Sequence, residues 1–293
     1  MLRSMYTAIS GLRNHQSMLD TVANNIANVN TTGFKGSNTQ FKTLLSQTMA
    51  GAGAPSATLG GTNAKQVGLG MTVDSITQNF TQGNLQTTGV NTDIAISGDG
   101  FFQVTNDPTG ATATPVTGAI QYMRAGNFKF DAQGTLVTSD GSFVLGYGVD
   151  PASVAPAFVP LTTNFSIIDF DPLTQSDPLI GNDGTVTVAD PTVVPGGRAT
   201  IGFLALARFS NPAGLHEDGA NKWSESLNSG TPVVDTPTNN GIGELGVGYL
   251  EMSNVDLATE FTEMIRAQRG FQANSRVITT SDEILQELVN LKR

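Results

Sequence analysis

The sequence reads as mainly β with terminal α: a long helix at each end of the chain and a middle of short strands. Three observations carry that expectation. Near each terminus an apolar residue recurs every seven positions. Between the termini, β-branched and aromatic runs alternate with Gly, Asn and Asp turns. Glycine (33) and proline (13) are frequent while only 14% of the 293 residues are charged, which suits strands and tight turns more than a helical enzyme.

In the N-terminal helix, Met5, Leu12, Leu19 and Ile26 hold the seven-residue track, with Leu2 and Ile9 on the neighbouring one. In the C-terminal helix, Leu257, Met264, Phe271, Ile278 and Leu285 do the same, supported by Phe261 and Val289. Such a repeat makes a narrow apolar seam, as in a coiled coil. Two ordinary core helices would be the plainer reading, but one such helix at each end of a β-rich chain favours pairing. These residues are therefore the expected self-assembly contacts, and 1–34 with 253–293 the expected inner helical domain. Ser253 and Asn254 offer helix caps, and Asp256, Glu260 and Glu263 precede Arg266 and Arg269 in the order that suits the helix dipole. Helices of this kind are marginal alone, so both ends are expected to order on assembly.

The cluster Asn30-Thr31-Thr32-Gly33-Phe34 should stop the first helix. Residues 35–75 then form an expected extended linker arm, small and nearly free of bulky side chains from 49 to 70. Residues 76–252 read as a β-rich outer domain: Thr92–Ser97, Phe101–Val104, Phe128–Phe130, Thr135–Val137, Gly184–Val188 and Ala199–Phe209 are strand-like, with turns between them.

Composition and motifs exclude most chemistry. A net charge of −10 argues against a nucleic-acid partner. That charge is uneven: residues 1–42 carry +3 and residues 251–293 carry −2, so the middle is strongly acidic. No cysteine is present, which removes disulfides and thiolate sites. The N-terminus lacks a signal-peptide apolar stretch, and no run is long enough for membrane insertion. Gly241-Ile-Gly-Glu-Leu-Gly246 matches the dinucleotide pattern, but a polar stretch precedes it and a strand-like Val247–Leu250 follows. Asp169, Asp171 and Asp177 lack calcium-loop spacing. His15, on the polar side of the first helix, and His216, in a loop, stand apart from any partner. Asp99, Asp140 and Asp183 precede glycines and serve turns. The chain is expected to be no enzyme and to need no cofactor or metal.

The stretch Ala23-Asn24-Asn25-Ile26-Ala27-Asn28, followed by Gly33-Phe34-Lys35, resembles the N-terminal signature of the bacterial flagellar hook and rod family. Three further blocks agree in order. They are Thr92–Phe102, Arg124-Ala-Gly126-Asn127-Phe128 through Val137, and Gly248-Tyr-Leu-Glu251-Met-Ser253-Asn254-Val255-Asp256 leading into Glu260–Phe271. The resemblance covers nearly the whole chain and is weakest between about 150 and 240. It implies terminal helices lining a channel, a β-rich domain outside them, and subunits that polymerise with themselves. It also implies export through the flagellum's own channel without signal cleavage, and an extracellular place in the hook or basal body. Implied partners are the distal rod, hook-cap and hook–filament junction proteins and the export apparatus. The short span between Val144 and Ala199 predicts a minimal subunit without an additional outer domain. Within the family the long arm at 43–75, with Leu59-Gly-Gly-Thr-Asn63 and Gly68-Leu-Gly70, points to a hook subunit, a universal joint; the alternative is a distal rod subunit, a straight drive shaft.

Overall fold

The computed structural model describes residues 2–55, 60–106, 119–149, 160–172, 175–190 and 197–291. It is mainly β with one long helix near each end. The chain forms two compact units: residues 1–29, 36–79 and 255–293, and residues 30–35 with 80–254.

The first unit contains helix α1 (Leu2–Ala27), helix α2 (Leu257–Asn290) and four strands, β1 (Ser37–Thr43), β2 (Ser46–Ala50), β3 (Lys65–Gly68) and β4 (Met71–Gln78). Helix α1 stops where Asn28 folds back: its N–H and its Nδ2 each donate to the Asn24 carbonyl, satisfying an end group that the helix leaves open. Helix α2 starts at Asp256, whose side chain accepts from Ala258 N–H at 3.0 Å and from Thr259 Oγ1 at 2.9 Å. The cap is therefore Asp256 rather than Ser253 or Asn254, because Asp256 holds the extended backbone (φ −96°, ψ 112°) from which a side chain reaches the first free N–H. The segment expected as a linker arm is paired with itself. β1 runs antiparallel to β4, with a bulge between Gln40 and Phe41, and β2 runs antiparallel to β3. Leu59 lies outside the described residues.

The second unit is built on a thirteen-stranded sheet. Its centre is β7 (Phe101–Thr105), flanked by β8 (Ile120–Met123) and β11 (Phe143–Val149). Successive side chains of a strand point to opposite faces, so Phe102 enters a core with Ile94, Phe128, Leu136, Val144, Leu204 and Leu206, while Phe101 enters a second with Tyr122, Phe209 and Trp223. Edge-to-face ring contacts knit that second cluster, Tyr122 to Phe209 at 4.7 Å and Phe101 to Trp223 at 5.8 Å between centroids. Two smaller ladders bring distant parts of the chain together: β6 (Ile94–Ser97) with β20 (Glu244–Val247), and β5 (Leu85–Thr87) with β21 (Tyr249–Glu251).

Candidate functional site: a helix seam and a buried charge cluster

Helices α1 and α2 pack antiparallel in a constant register. A Cβ on Gly11 would lie 2.6 Å from Asn274 Nδ2, and a Cβ on Gly270 would lie 2.5 Å from His15 Nε2. Farther along, the Asn25 side chain hydrogen-bonds the Glu260 carboxyl, which burial holds above its ordinary range while that bond opposes the shift. The side chains buried on the facing surfaces are mostly small or polar: Ala8, Gly11, Asn14, Val22 and Asn25 on α1, Ala267 and Ser281 on α2. Small residues let two helix backbones approach closely, so large side chains are displaced to the flanks.

The seven-residue repeat accordingly flanks the closest approach. Met5, Ile9, Leu12, Leu19, Ile26, Met264, Ile278 and Leu285 are half-buried, whereas Leu257, Phe261 and Phe271 are exposed. The side chain of Leu2 lies outside the described set. His15, expected on the polar side of α1, instead faces Gly270, with its ring edge-on to Phe41 at 6.2 Å. Its Nδ1 is buried without a hydrogen-bond partner, and burial lowers its pKa.

A polar track along α1 holds the ribbon. Asn14 Nδ2 donates to the Met71 carbonyl at 2.6 Å, and Thr39 Oγ1 donates to Thr21 Oγ1 at 3.0 Å. Asn25 grips Ser37 from both sides, donating to its carbonyl at 2.8 Å and accepting from its N–H at 3.0 Å. Asn25 is 1% exposed, so this side chain joins α1, β1 and α2 from a buried position. Asn24 and Ala27 of the same signature are exposed.

In the second unit the signature residues Gly33, Phe34 and Lys35 form part of a buried charge cluster. Gly33 takes φ +68°, and a Cβ there would lie 2.5 Å from Ala125 N, so only glycine fits. Its N–H donates to the Glu251 carbonyl at 2.8 Å. Phe34 is buried. Lys35 Nζ lies 2.7 Å from Glu251 Oε1 and donates to the Thr81 carbonyl at 2.8 Å. Arg124 Nη1 lies 3.3 Å from Glu251 Oε2, its Nη2 donates to the Gly98 carbonyl at 2.8 Å, and its guanidinium sits 5.4 Å over the Phe101 ring. Gly83 N–H also donates to Glu251 Oε1 at 2.9 Å. Burial pulls both Lys35 and Arg124 down, and the Glu251 carboxylate opposes that in each case. Asn254 Nδ2 donates to Thr81 Oγ1 at 3.0 Å, and Ser253 is buried while Val255 is half-buried.

The geometry fits mechanical clamping. Both carboxylate oxygens of Glu251 are engaged, Oε1 by Lys35 and Gly83 N–H and Oε2 by Arg124. Gly241–Gly246 runs through a turn into β20, so no helix N-terminus follows it. Asp177 accepts from Arg198, and Asp140 pairs with the buried Lys222 as well as serving its turn. Among the described residues no three His, Asp or Glu side chains gather as metal ligands, and no helix is long and apolar enough to cross a membrane.

Comparison with known proteins follows the same blocks. Residues 5–35 match the family described as flagella basal body rod protein, and residues 247–291 match the flagellar basal body rod FlgEFG protein C-terminal family. Residues 95–188 match the flagellar hook protein FlgE/F/G D1 domain. The flagellar basal-body rod protein FlgG of Bacillus subtilis (strain 168) is 47% identical over 294 residues, covering all of both chains. This chain belongs to the flagellar hook and rod family. A rod protein FlgG of Borreliella burgdorferi is 38% identical over 299 residues, and the flagellar hook protein FlgE of the same organism is 29% identical over 451, each again covering both chains fully. In this family member, the signature residues Asn25, Asn28, Gly33, Lys35, Asn254 and Asp256 have identifiable structural tasks. Arg124 and Glu251 escaped the sequence reading as functional residues, although both stand inside the blocks that carried the resemblance.

Proposed function

We propose that this chain is a rod subunit of the flagellar basal body, the distal-rod alternative rather than the hook subunit first expected. The observation that carries this reading is length. The rod-named relative from Bacillus subtilis aligns end to end at 47% identity, whereas the hook-named relative needs 451 aligned positions against 293 residues here. The hook expectation rested on the length of the arm and on its Leu59–Asn63 and Gly68–Gly70 motifs, and the segment forms a hydrogen-bonded ribbon that suits a stiff shaft.

In this reading the subunit works by repeated contact with copies of itself. A head-to-tail interface whose rotation does not close produces a helical tube. The small-residue seam fixes α1 against α2 and leaves Leu257, Phe261, Ile265 and Phe271 exposed for neighbouring copies to cover. The half-buried track of Met5, Ile9, Leu12, Leu19, Ile26, Met264, Ile278 and Leu285 stiffens the pair. The Lys35–Glu251–Arg124 cluster holds together the segments by which the chain enters and leaves the second unit, so load meets ion pairs sealed from water. Adjoining axial proteins and the flagellar export apparatus are the further partners, and the subunit leaves the cell through that apparatus.

Electron microscopy of basal bodies from cells lacking this chain tests the proposal. Truncated rods are the expected result. Complete rods without hooks would return the chain to the hook reading, and normal motile flagella would overturn both.

A further inference from the structure

The two helices differ in length, 26 residues in α1 and 34 in α2. The register set by Gly11 with Asn274, His15 with Gly270 and Asn25 with Glu260 determines where the excess falls. Continued to Leu2, that register ends α1 opposite Glu283. The final two turns of α2 therefore project past α1. They carry exposed apolar side chains, with Ile284 at 47%, Leu288 at 50% and Val289 at 67%. Asp282, Glu283 and Glu287 flank them, with no basic residue until Lys292 and Arg293.

The same unit holds a shallow, mainly apolar groove, lined by Ala8 of α1, Val67 and Leu69 of the ribbon, and Val277 of α2, with Arg3 at its rim. Val67 and Leu69 are exposed there. Lys65, at the start of β3 and two residues before Val67, adds a second positive charge to the ribbon, which from Leu44 to Met71 holds no acidic residue.

We propose that the projecting end of α2 docks in this groove on a second copy of the chain. The proposal rests on the reading of the protein as a self-assembling subunit and names its contact. The apolar side chains of the helix end match an apolar groove, and its acids meet Arg3 and Lys65. Projection and groove are two different patches at the same end of the helix pair, so a contact that runs one way between copies is heterologous and propagates.

Cysteine pairs test it cleanly, because the chain has none of its own. Within one copy, Leu288 lies three helical turns beyond the Val277 side of the groove, about 16 Å along the axis. That exceeds the span a disulfide can bridge, about 7 Å between Cα atoms. The full chain carrying Leu288→Cys and Leu69→Cys is expected to give a ladder of covalent multimers on oxidation, and neither single variant is. A chain that assembles by sedimentation but yields only monomers on the denaturing gel overturns this contact alone. A ladder from Leu288→Cys by itself overturns it too, since helix ends would then meet each other. Failure of the unaltered chain to assemble overturns the contact and the subunit reading together. As a second measurement, replacing Ile284, Leu288 and Val289 by Ser is expected to leave the monomer's β-sheet signal unchanged and cut assembly at least tenfold; undiminished assembly overturns the contact.

Discussion

Lys35 and Glu251 meet at 2.7 Å between side chains with no exposed surface, although 216 residues separate them in the chain. The carboxylate they share with Arg124 takes its place in a shell of donors, which a buried charge requires. Replacing Glu251 by Gln leaves buried Lys35 without its counter-charge and Arg124 with Asp99 alone. Thermal melting of Glu251→Gln should show the second unit destabilised by about 3–5 kcal/mol. An unchanged melt would mean that water reaches the cluster.

Asn25 explains one Asn of the N-terminal signature by a single geometry, a two-sided grip on the Ser37 backbone. Asn25→Ala removes both bonds and leaves buried groups unsatisfied, at a cost of about 1–3 kcal/mol. Hydrogen exchange is the direct readout. The Ser37 amide should lose protection in the variant, while amides of β7 keep theirs.

Much of this architecture could be read from the amino-acid order, and the misses have physical causes. The two helices announced themselves through their large apolar repeat, and the β-rich middle through its turn residues. The repeat did not mark the closest approach, because Ala8, Gly11, Ala267 and Gly270 contribute little hydrophobicity and act by being small. His15 looked solvent-facing because it is polar, yet it lies one turn from Gly11 on the same buried track. The ribbon looked flexible because its ladder bonds come from backbone groups, which small side chains do not advertise. Lys35, Arg124 and Glu251 each resemble an ordinary surface charge, and they meet only in the fold, where Gly33 N–H bonds the Glu251 carbonyl and Arg124 follows the end of β8.

Gly270 is the second place where size decides. A larger side chain there collides with His15, and overpacking of this kind costs about 1–3 kcal/mol. Gly270→Leu should loosen the helix pair, read as a lower helical signal at 222 nm on warming. The Trp223 fluorescence transition should stay where it is. Gly270→Ala is expected to show a smaller effect in the same direction.

The seam should also respond to acid. The charged residues closest in sequence to the groups around His15 are Arg13 on α1, Arg266 and Arg269 before Gly270 on α2, and Lys42 beside Phe41, which pairs with Asp74 of β4. Burial lowers the imidazole pKa, so the folded seam binds a proton less readily than the open chain does. Stability from this site is complete above the ordinary imidazole pKa near 6.5 and is lost as pH falls below it. Helix melting between pH 7.5 and 5 should weaken in the unaltered chain, and His15→Gln should flatten that dependence.

The position of this chain along the flagellar axis separates a rod subunit from a hook subunit. Electron cryomicroscopy of intact rod–hook assemblies from the cells that make it, at a resolution that identifies side chains, decides this most directly. Density carrying Trp223 and the Lys35–Glu251–Arg124 cluster in the straight segment below the hook is the predicted result. The same side chains in the curved segment above it would contradict the rod assignment.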